Sequence, residues 1–280
     1  MKSALFTGAA VTLGLLLASI GSAQASTPST TESTASHQPT AQARLHGINK
    51  AGDAYMGWLQ NTTTTATAPT DMGTAAVVEG IDVSSHQGNV DWAAQWNAGK
   101  RFAYVKATEG NYYTNPYFAQ QYNGSYNIGM IRGSYHFATP NDSTGANQAN
   151  YFVSHGGGWS RDGKTLPGAL DIEYNPYGDT CYGKTQSGMV SWIRDFLNTY
   201  KSLTGRDAVI YTNYDWWNRC TGNTTAFNST NPLWVARYSS TVGTLPGAWP
   251  FYTIWQWTSS PLDQNHFNGD YSRLQALANG

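Results

Sequence analysis

The stretch "ALDIEYNP" (169–176) places two acids, Asp171 and Glu173, on what reads as an otherwise apolar strand. Side chains alternate between the two faces of a strand, so these two carboxyls share one face while Leu170 and Ile172 point the other way. When two like carboxylates are held close together, the pKa of one of them rises. A carboxyl that keeps its proton near neutral pH can act as a general acid, so we predict acid–base chemistry here.

Further acids stand near the ends of other predicted strands. Asp82 lies in "GIDVSSHQG", Glu109 in "YVKATEG" and Asp263 in "PLDQNHFNGD". The chain contains 17 acids in all, so several of them at strand ends indicate a shared carboxylate rim. For Glu109 an ion pair with Lys106 or bonds to loop amides are equally open interpretations.

Aromatic and amide side chains occupy equivalent positions. Tyr135 and His136 end the strand "GSYHFA", Tyr211 lies in "VIYTNY", and Trp255 and Gln256 lie in "WQWT". Rings that stack beside groups that hydrogen-bond suit a sugar, so we predict that these residues, with Glu109, bind substrate. The competing interpretation is that His136 and most of the rings are structural.

The elements that must position these residues begin at about Val77. Apolar strands alternate with helical segments, and the clearest helix spaces apolar residues three and four apart between Met189 and Tyr200, with Gly205 as its C-cap. Later, "LWVARY" and "FYTIWQWT" are separated by a Gly/Pro-containing stretch with no room for a crossover helix. We predict an α/β fold: a reduced (β/α) barrel of the TIM type, with about five strand–helix units followed by three strands, some paired antiparallel.

The N-terminal third has a different character. Residues 1–25 have a lysine, an apolar run and small residues before the expected cleavage point, as a secretory signal peptide does. Residues 26–76 are rich in Ser, Thr and Ala and predict a disordered linker or propeptide. The catalytic barrel is then expected over 77–280, in a secreted, extracellular protein.

The net charge of the chain bears on its binding partners, and its cysteines and histidines bear on disulfides and metal sites. The net charge is −1 and charged residues make up 12% of the chain, which favours neither nucleic acid nor a membrane surface as partner. Two cysteines in a secreted chain predict one disulfide, Cys181–Cys220. The six histidines show no metal-ligand spacing, so we expect neither a metal nor another cofactor.

These motifs, in this order, resemble the secreted N-acetylmuramidases of glycoside hydrolase family 25. "DVSSHQG", "YVKATEGNYYTN", "RGSYHFA", "ALDIEYNP" and the closing "WQWT" and "LDQNHFNGD" carry the resemblance, which covers residues 79–280. It implies a bacteriolytic enzyme that hydrolyses the β-1,4 bond between N-acetylmuramic acid and N-acetylglucosamine in peptidoglycan. It also implies Glu173 as general acid, Asp171 as its partner carboxylate, and Asp82 and Asp263 as further active-site acids.

Two other functions are open on the sequence. A chitinase-like hydrolase of N-acetylglucosamine polymers would use the same acids, and a non-catalytic wall-binding module would not need Glu173. For the favoured enzyme we expect peptidoglycan glycan strands as the partner and a monomer without a membrane anchor.

Overall fold

The structure, a computed structural model, describes Met1 and residues 37–60 and 77–280. The predicted signal peptide therefore lies, Met1 apart, outside the described residues. The same holds for residues 26–36 and 61–76 of the predicted linker or propeptide. No helix among the described residues is long and apolar enough to span a membrane.

Eight strands close into a barrel, and a ninth, two-residue strand extends the sheet. The hydrogen-bonded order is β1-β9-β8-β7-β6-β5-β4-β2-β3, and a parallel β1–β2 pairing closes it. The strands are β1 Val77–Val83, β2 Phe102–Glu109, β3 Tyr113–Thr114, β4 Ile131–Phe137, β5 Ala169–Asp171, β6 Val209–Thr212, β7 Leu233–Ala236, β8 Ile254–Thr258 and β9 Gln264–Asn268. The predicted reduced barrel is confirmed.

Helices follow the first five barrel strands, after which three strands complete the barrel. The α-helices are α1 Ala41–Leu45, α2 Trp92–Asn97, α3 Phe118–Asn127, α4 Gly145–Phe152, α5 Gln186–Thr204, α6 Tyr214–Thr221 and α7 Tyr271–Asn279. The buried side of α5 is the one its spacing predicted, and Gly205 ends it in the left-handed region. The helices α6 and α7 were not predicted; Asn213 caps α6 by accepting from the Trp216 amide.

The pairing pattern explains how the last three strands, β7, β8 and β9, close the barrel. The pairs β6–β7 and β7–β8 are parallel, while β9 runs antiparallel to both β8 and β1. Because β9 is antiparallel, it begins at the end of the barrel where its neighbours finish. The turn 259–263 therefore joins β8 to β9 at the carboxyl end of the barrel, without a crossover helix.

Strand alternation divides the apolar residues into two cores. Inside the barrel, Ala169 packs with Tyr135, Tyr211 and Trp234. Outside it, Leu170 and Ile172 pack against the buried side of α5. Since Asp171 lies between Leu170 and Ile172 and two residues from Ala169, its side chain belongs to the interior face, as the sequence predicted.

The predicted disulfide is present between Cys181, in the loop after β5, and Cys220 in α6. The bridge closes a loop with a sequence separation of 39, so the chain-entropy model predicts that it stabilises the fold by about 4 kcal/mol at most. We expect the Cys181→Ser/Cys220→Ser variant to unfold at a clearly lower denaturant concentration, with a somewhat larger m-value because the unbridged denatured chain exposes more surface. Equal midpoints for the variant and the unmodified chain would contradict this expectation.

Residues 37–60 differ from the disordered linker that composition predicted. Thr40 caps the short helix α1 by accepting from the Ala43 amide. An apolar cluster of Ala43, Ile48, Ala54 and Trp58 then packs against Phe137 at the end of β4. The segment is ordered because the barrel supplies an apolar surface that composition alone does not reveal.

Candidate active site

Asp171 and Glu173 lie side by side at the carboxyl end of β5, and both are fully buried. Burial raises the pKa of both carboxyls, that of Glu173 to about 8, and the charge of Glu173 raises that of Asp171 further. Among the described residues no backbone or hydroxyl donor reaches Asp171, whose close polar neighbour is Glu173. Two such carboxyls can hydrogen-bond to each other when one is protonated, so the pair is suited to hold a single proton.

Asp82 and Asp263 complete the cluster from the opposite side of the barrel mouth. Asp82, near the end of β1, accepts hydrogen bonds from Gln256 Nε2 at 3.0 Å and Asn265 Nδ2 at 2.6 Å. Burial raises the pKa of Asp82 to about 7, although these two amides lower it. Burial and the charge of Asp82 raise the pKa of Asp263, which accepts from Tyr238 Oη at 3.2 Å.

Tyr135, Tyr211 and Gln256 reach the same space. Tyr211 Oη donates to Gln256 Oε1 at 2.6 Å, and Gln256 in turn holds Asp82. Tyr135 is fully buried near Asp82 and Asp171; burial and then the charges of these acids raise its phenol pKa. These polar groups converge on the four acids, so they would contact a substrate bound there.

Glu109 takes part in a buried network at the edge of this space. It accepts from Lys106 Nζ at 2.5 Å and from Tyr112 Oη at 2.7 Å, and also from Tyr177 Oη. The ion pair with Lys106, which the sequence left open, therefore forms. Lys106 is fully buried, and its positive charge lowers the pKa of Asp171, opposing the effect of burial.

His136 does not belong to the site, and the prediction that it binds substrate is wrong. It points away from the barrel interior, where its Nδ1 lies 2.8 Å from Thr108 Oγ1 and its Nε2 lies 2.9 Å from Gln148 Oε1. Its ring stacks on Phe196 of α5. Burial lowers the pKa of His136 to about 3, so it is a neutral structural histidine.

Trp255 is also misassigned. In the parallel β7–β8 register it pairs with Val235, and both pack in the outer core rather than inside the barrel. Its indole Nε1 donates to the Arg237 carbonyl at 2.9 Å. Since Gln256 is the next residue and faces inward, strand alternation excludes Trp255 from the same face.

Three site residues were missed: Lys106 as a buried cation beside Asp171, Tyr238, and Asn265. Asn265 lies two residues beyond Asp263, so the period-two rule could have placed it on the same face. For Tyr238, which bonds both Gln256 and Asp263, the sequence carries no comparable signal.

A cavity of about 430 Å³ opens beside this cluster, lined in part by Tyr174, Tyr238, Asn213 and Arg237. A larger cavity of about 660 Å³, beside Val78 and Tyr271, contains none of the four acids, so we place the site by its chemistry and not by cavity size. Within residues 37–60 and 77–280, no group of three or more acid, histidine or cysteine side chains is arranged to hold a metal ion.

A barrel with a buried acid pair at the carboxyl end of one strand, facing two further acids, is the arrangement expected of a glycoside hydrolase. The sequence-family model described as "Glycosyl hydrolases family 25" matches residues 81–266 of this chain. The chain therefore belongs to glycosyl hydrolase family 25 and is a glycoside hydrolase.

Relatives agree with this membership. The chain is 50% identical over 210 residues to "Lysozyme M1" of Streptomyces globisporus, a match covering 72% of this chain and 71% of that protein. It is 49% identical over 210 residues to "N,O-diacetylmuramidase" of a Chalaropsis species, covering 72% of this chain and 100% of that protein. The solved family GH25 lysozyme of Aspergillus fumigatus superposes with a TM-score of 0.72 at 49% identity, covering 73% of this chain and all of that one.

Proposed function

We propose that this chain is a lysozyme, an N-acetylmuramidase that hydrolyses the β-1,4 bond between N-acetylmuramic acid and N-acetylglucosamine in peptidoglycan. The observation that carries the proposal is the buried pair of Asp171 and Glu173 facing Asp82 and Asp263 in a family 25 barrel. The names of relatives about 50% identical, lysozyme and N,O-diacetylmuramidase, support the same substrate.

Glu173 is the general acid in this proposal. Protonated Glu173 gives its proton to the glycosidic oxygen as the bond to the anomeric carbon breaks, so the leaving sugar departs with a free hydroxyl. The resulting Glu173 carboxylate then takes a proton from the water that completes hydrolysis. Burial supports this role because it keeps the carboxyl protonated to a higher pH than an exposed glutamate.

Asp171 assists the substrate's own acetamido group. Asp171 and Glu173 come from one strand, with Cα atoms about 6.5–7 Å apart, so both approach the sugar from one wall. A nucleophile would instead lie across the anomeric carbon from the acid. In this hypothesis the acetamido oxygen attacks the anomeric carbon, and the Asp171 carboxylate accepts from the acetamido N–H and stabilises the developing positive charge.

Product analysis tests the function. Purified peptidoglycan is digested and reduced with borohydride, and the new reducing ends are identified by mass spectrometry. We expect muramitol ends. Glucosaminitol ends would contradict the muramidase function while leaving a glycoside hydrolase in place. Ends released from chitin oligomers but not from peptidoglycan would indicate the chitinase-like alternative. Binding to the wall with no new ends would favour the binding module.

The setting of the proposed enzyme follows from the N-terminal sequence and the charge. Residues 1–25 support secretion by a cleaved signal peptide, and we propose an extracellular monomer. The net charge of −1 gives no electrostatic attraction to nucleic acid or to an anionic membrane.

A further inference from the structure

Residues 37–60, here called the plug, cover the mouth of the barrel where the four acids meet. The Gly57 amide donates a hydrogen bond to Glu173 Oε1 at 2.6 Å. Beside it, Met56 is fully buried in the barrel-interior cluster together with Tyr135 and Tyr211. The plug thus occupies the space in which a sugar would have to contact the acid pair.

The fit at Gly57 is close. Its φ is +76°, and a Cβ at this position would lie 2.5 Å from Tyr238 Oη, 2.6 Å from Gln256 Oε1 and 2.9 Å from Tyr211 Oη. A side chain larger than hydrogen would meet all three of these polar groups at once. Glycine is therefore required for the backbone to come within hydrogen-bonding distance of Glu173.

The plug also binds the buried charges at the rim. Lys106 Nζ donates to the Gly52 carbonyl at 3.0 Å and to the Ala54 carbonyl, and the Gly52 amide donates to Glu109 at 3.0 Å. On the other side, Trp58 Nε1 donates to the Tyr174 carbonyl at 2.9 Å. These bonds satisfy Lys106 and Glu109, both of which would otherwise face the groove.

The contact at Glu173 opposes catalysis. A backbone N–H donor stabilises the carboxylate form of Glu173, whereas a general acid must carry the proton. The same bond favours leaving the shared proton on Asp171, the reverse of the arrangement that hydrolysis requires. The plug thus blocks the groove, and its Gly57 amide lowers the pKa of Glu173, although burial still raises that pKa to about 8.

The match with the Chalaropsis protein spans that protein's whole length but 72% of this chain, so part of this chain has no counterpart there. We propose that residues 37–60 are an intramolecular inhibitor that must leave the barrel mouth before peptidoglycan can bind. The proposal rests on the proposed muramidase function, of which it describes the regulation.

Variants of the full chain test the inhibitor. Gly57→Ala should displace the plug through its contacts with the rim, and Trp58→Ala should weaken its anchor on Tyr174. We expect both to release muramitol ends at least about tenfold faster than the unmodified chain, as a shift from a mostly closed to a mostly open population requires. A synthetic peptide of residues 37–60 should inhibit Gly57→Ala again.

Gly47→Ala is the matched control. Gly47 lies in the same segment with a φ of +79°, but an added Cβ would meet nothing within 4 Å, so the rate should change much less. Equal rates for the unmodified chain, Gly57→Ala and Trp58→Ala would overturn the inhibitor. A rise in Gly47→Ala as large as that in Gly57→Ala would overturn the role of the Gly57 contacts.

Sedimentation with insoluble peptidoglycan, measured in parallel, separates this proposal from the enzymatic one. If no variant produced new reducing ends, the muramidase function would fail, and wall binding would still report on the groove. Stronger retention of Gly57→Ala than of the unmodified chain would support the plug. If Gly57→Ala and the unmodified chain were retained equally and no variant hydrolysed the wall, the inhibitor proposal would be overturned as well.

Discussion

Glu173→Gln should lower the rate of muramitol release by about 10²–10⁴-fold, because glutamine has no proton to give to the glycosidic oxygen. The amide nearly matches the carboxyl in size, and Glu173 lies at the barrel mouth rather than in the packed outer core. We therefore expect the variant to fold and bind the wall. Rates are compared in the unmodified chain and in the Gly57→Ala background, so that the plug does not mask the difference.

The pH profile supplies the control for this variant. Glu173 is active when protonated, and burial raises its pKa to about 8 while the plug covers it. In the open enzyme we expect activity to be lost as the pH rises through the pKa of the uncovered carboxyl. Any residual activity of Glu173→Gln should lack this alkaline loss, since glutamine does not titrate. A variant with the full rate and an unchanged profile would assign the acid role to another residue.

Asp171→Asn should cost about 10²–10³-fold in rate, because asparagine keeps the size of the side chain but removes the negative charge that stabilises the transition state. If the acetamido group is the nucleophile, peptidoglycan whose amino sugars have been chemically N-deacetylated should resist the unmodified enzyme. The measurement is the rate of muramitol release from matched acetylated and deacetylated walls.

A mechanism in which Asp171 is the nucleophile predicts a different experimental result. If Asp171 attacked the anomeric carbon, a fluorinated sugar substrate would leave a covalent glycosyl group on Asp171 that peptide mass spectrometry could locate. Such an adduct would contradict the substrate-assisted mechanism.

The Asp82→Asn variant tests whether the loss of rate in Asp171→Asn comes from removing any active-site charge or from the specific role of Asp171. The Asp82 carboxyl is held by Gln256 and Asn265, so we expect a smaller loss from Asp82→Asn than from Asp171→Asn.

Much of the barrel could be predicted from sequence because its signals are local. The apolar spacing of α5 matches its buried side, and the alternation around Asp171 matches the division between interior and outer core. Sequence analysis missed the helix α6 because it has only eight residues, too short a window for the helical spacing of its buried Trp216, Trp217, Cys220 and Thr221 to stand out.

The errors at the site have two different causes. His136 and Trp255 each neighbour a residue that faces inward, Tyr135 and Gln256, so strict use of strand alternation would have excluded them. The ordering of residues 37–60 could not have been found in this way. Its decisive bond joins Gly57 to Glu173, 116 positions later in the chain, and local sequence does not report so distant a partner.

The β8–β9 hairpin has a consequence for how such enzymes can diversify. A hairpin turn can change length at a small entropic cost, whereas a crossover helix cannot be altered without repacking the outer core. The turn 259–263 ends in Asp263 and lies at the barrel mouth, so insertions there would reshape one wall of the groove while leaving strand register unchanged. Substrate range in this architecture can thus vary at that turn independently of the acid pair on β5.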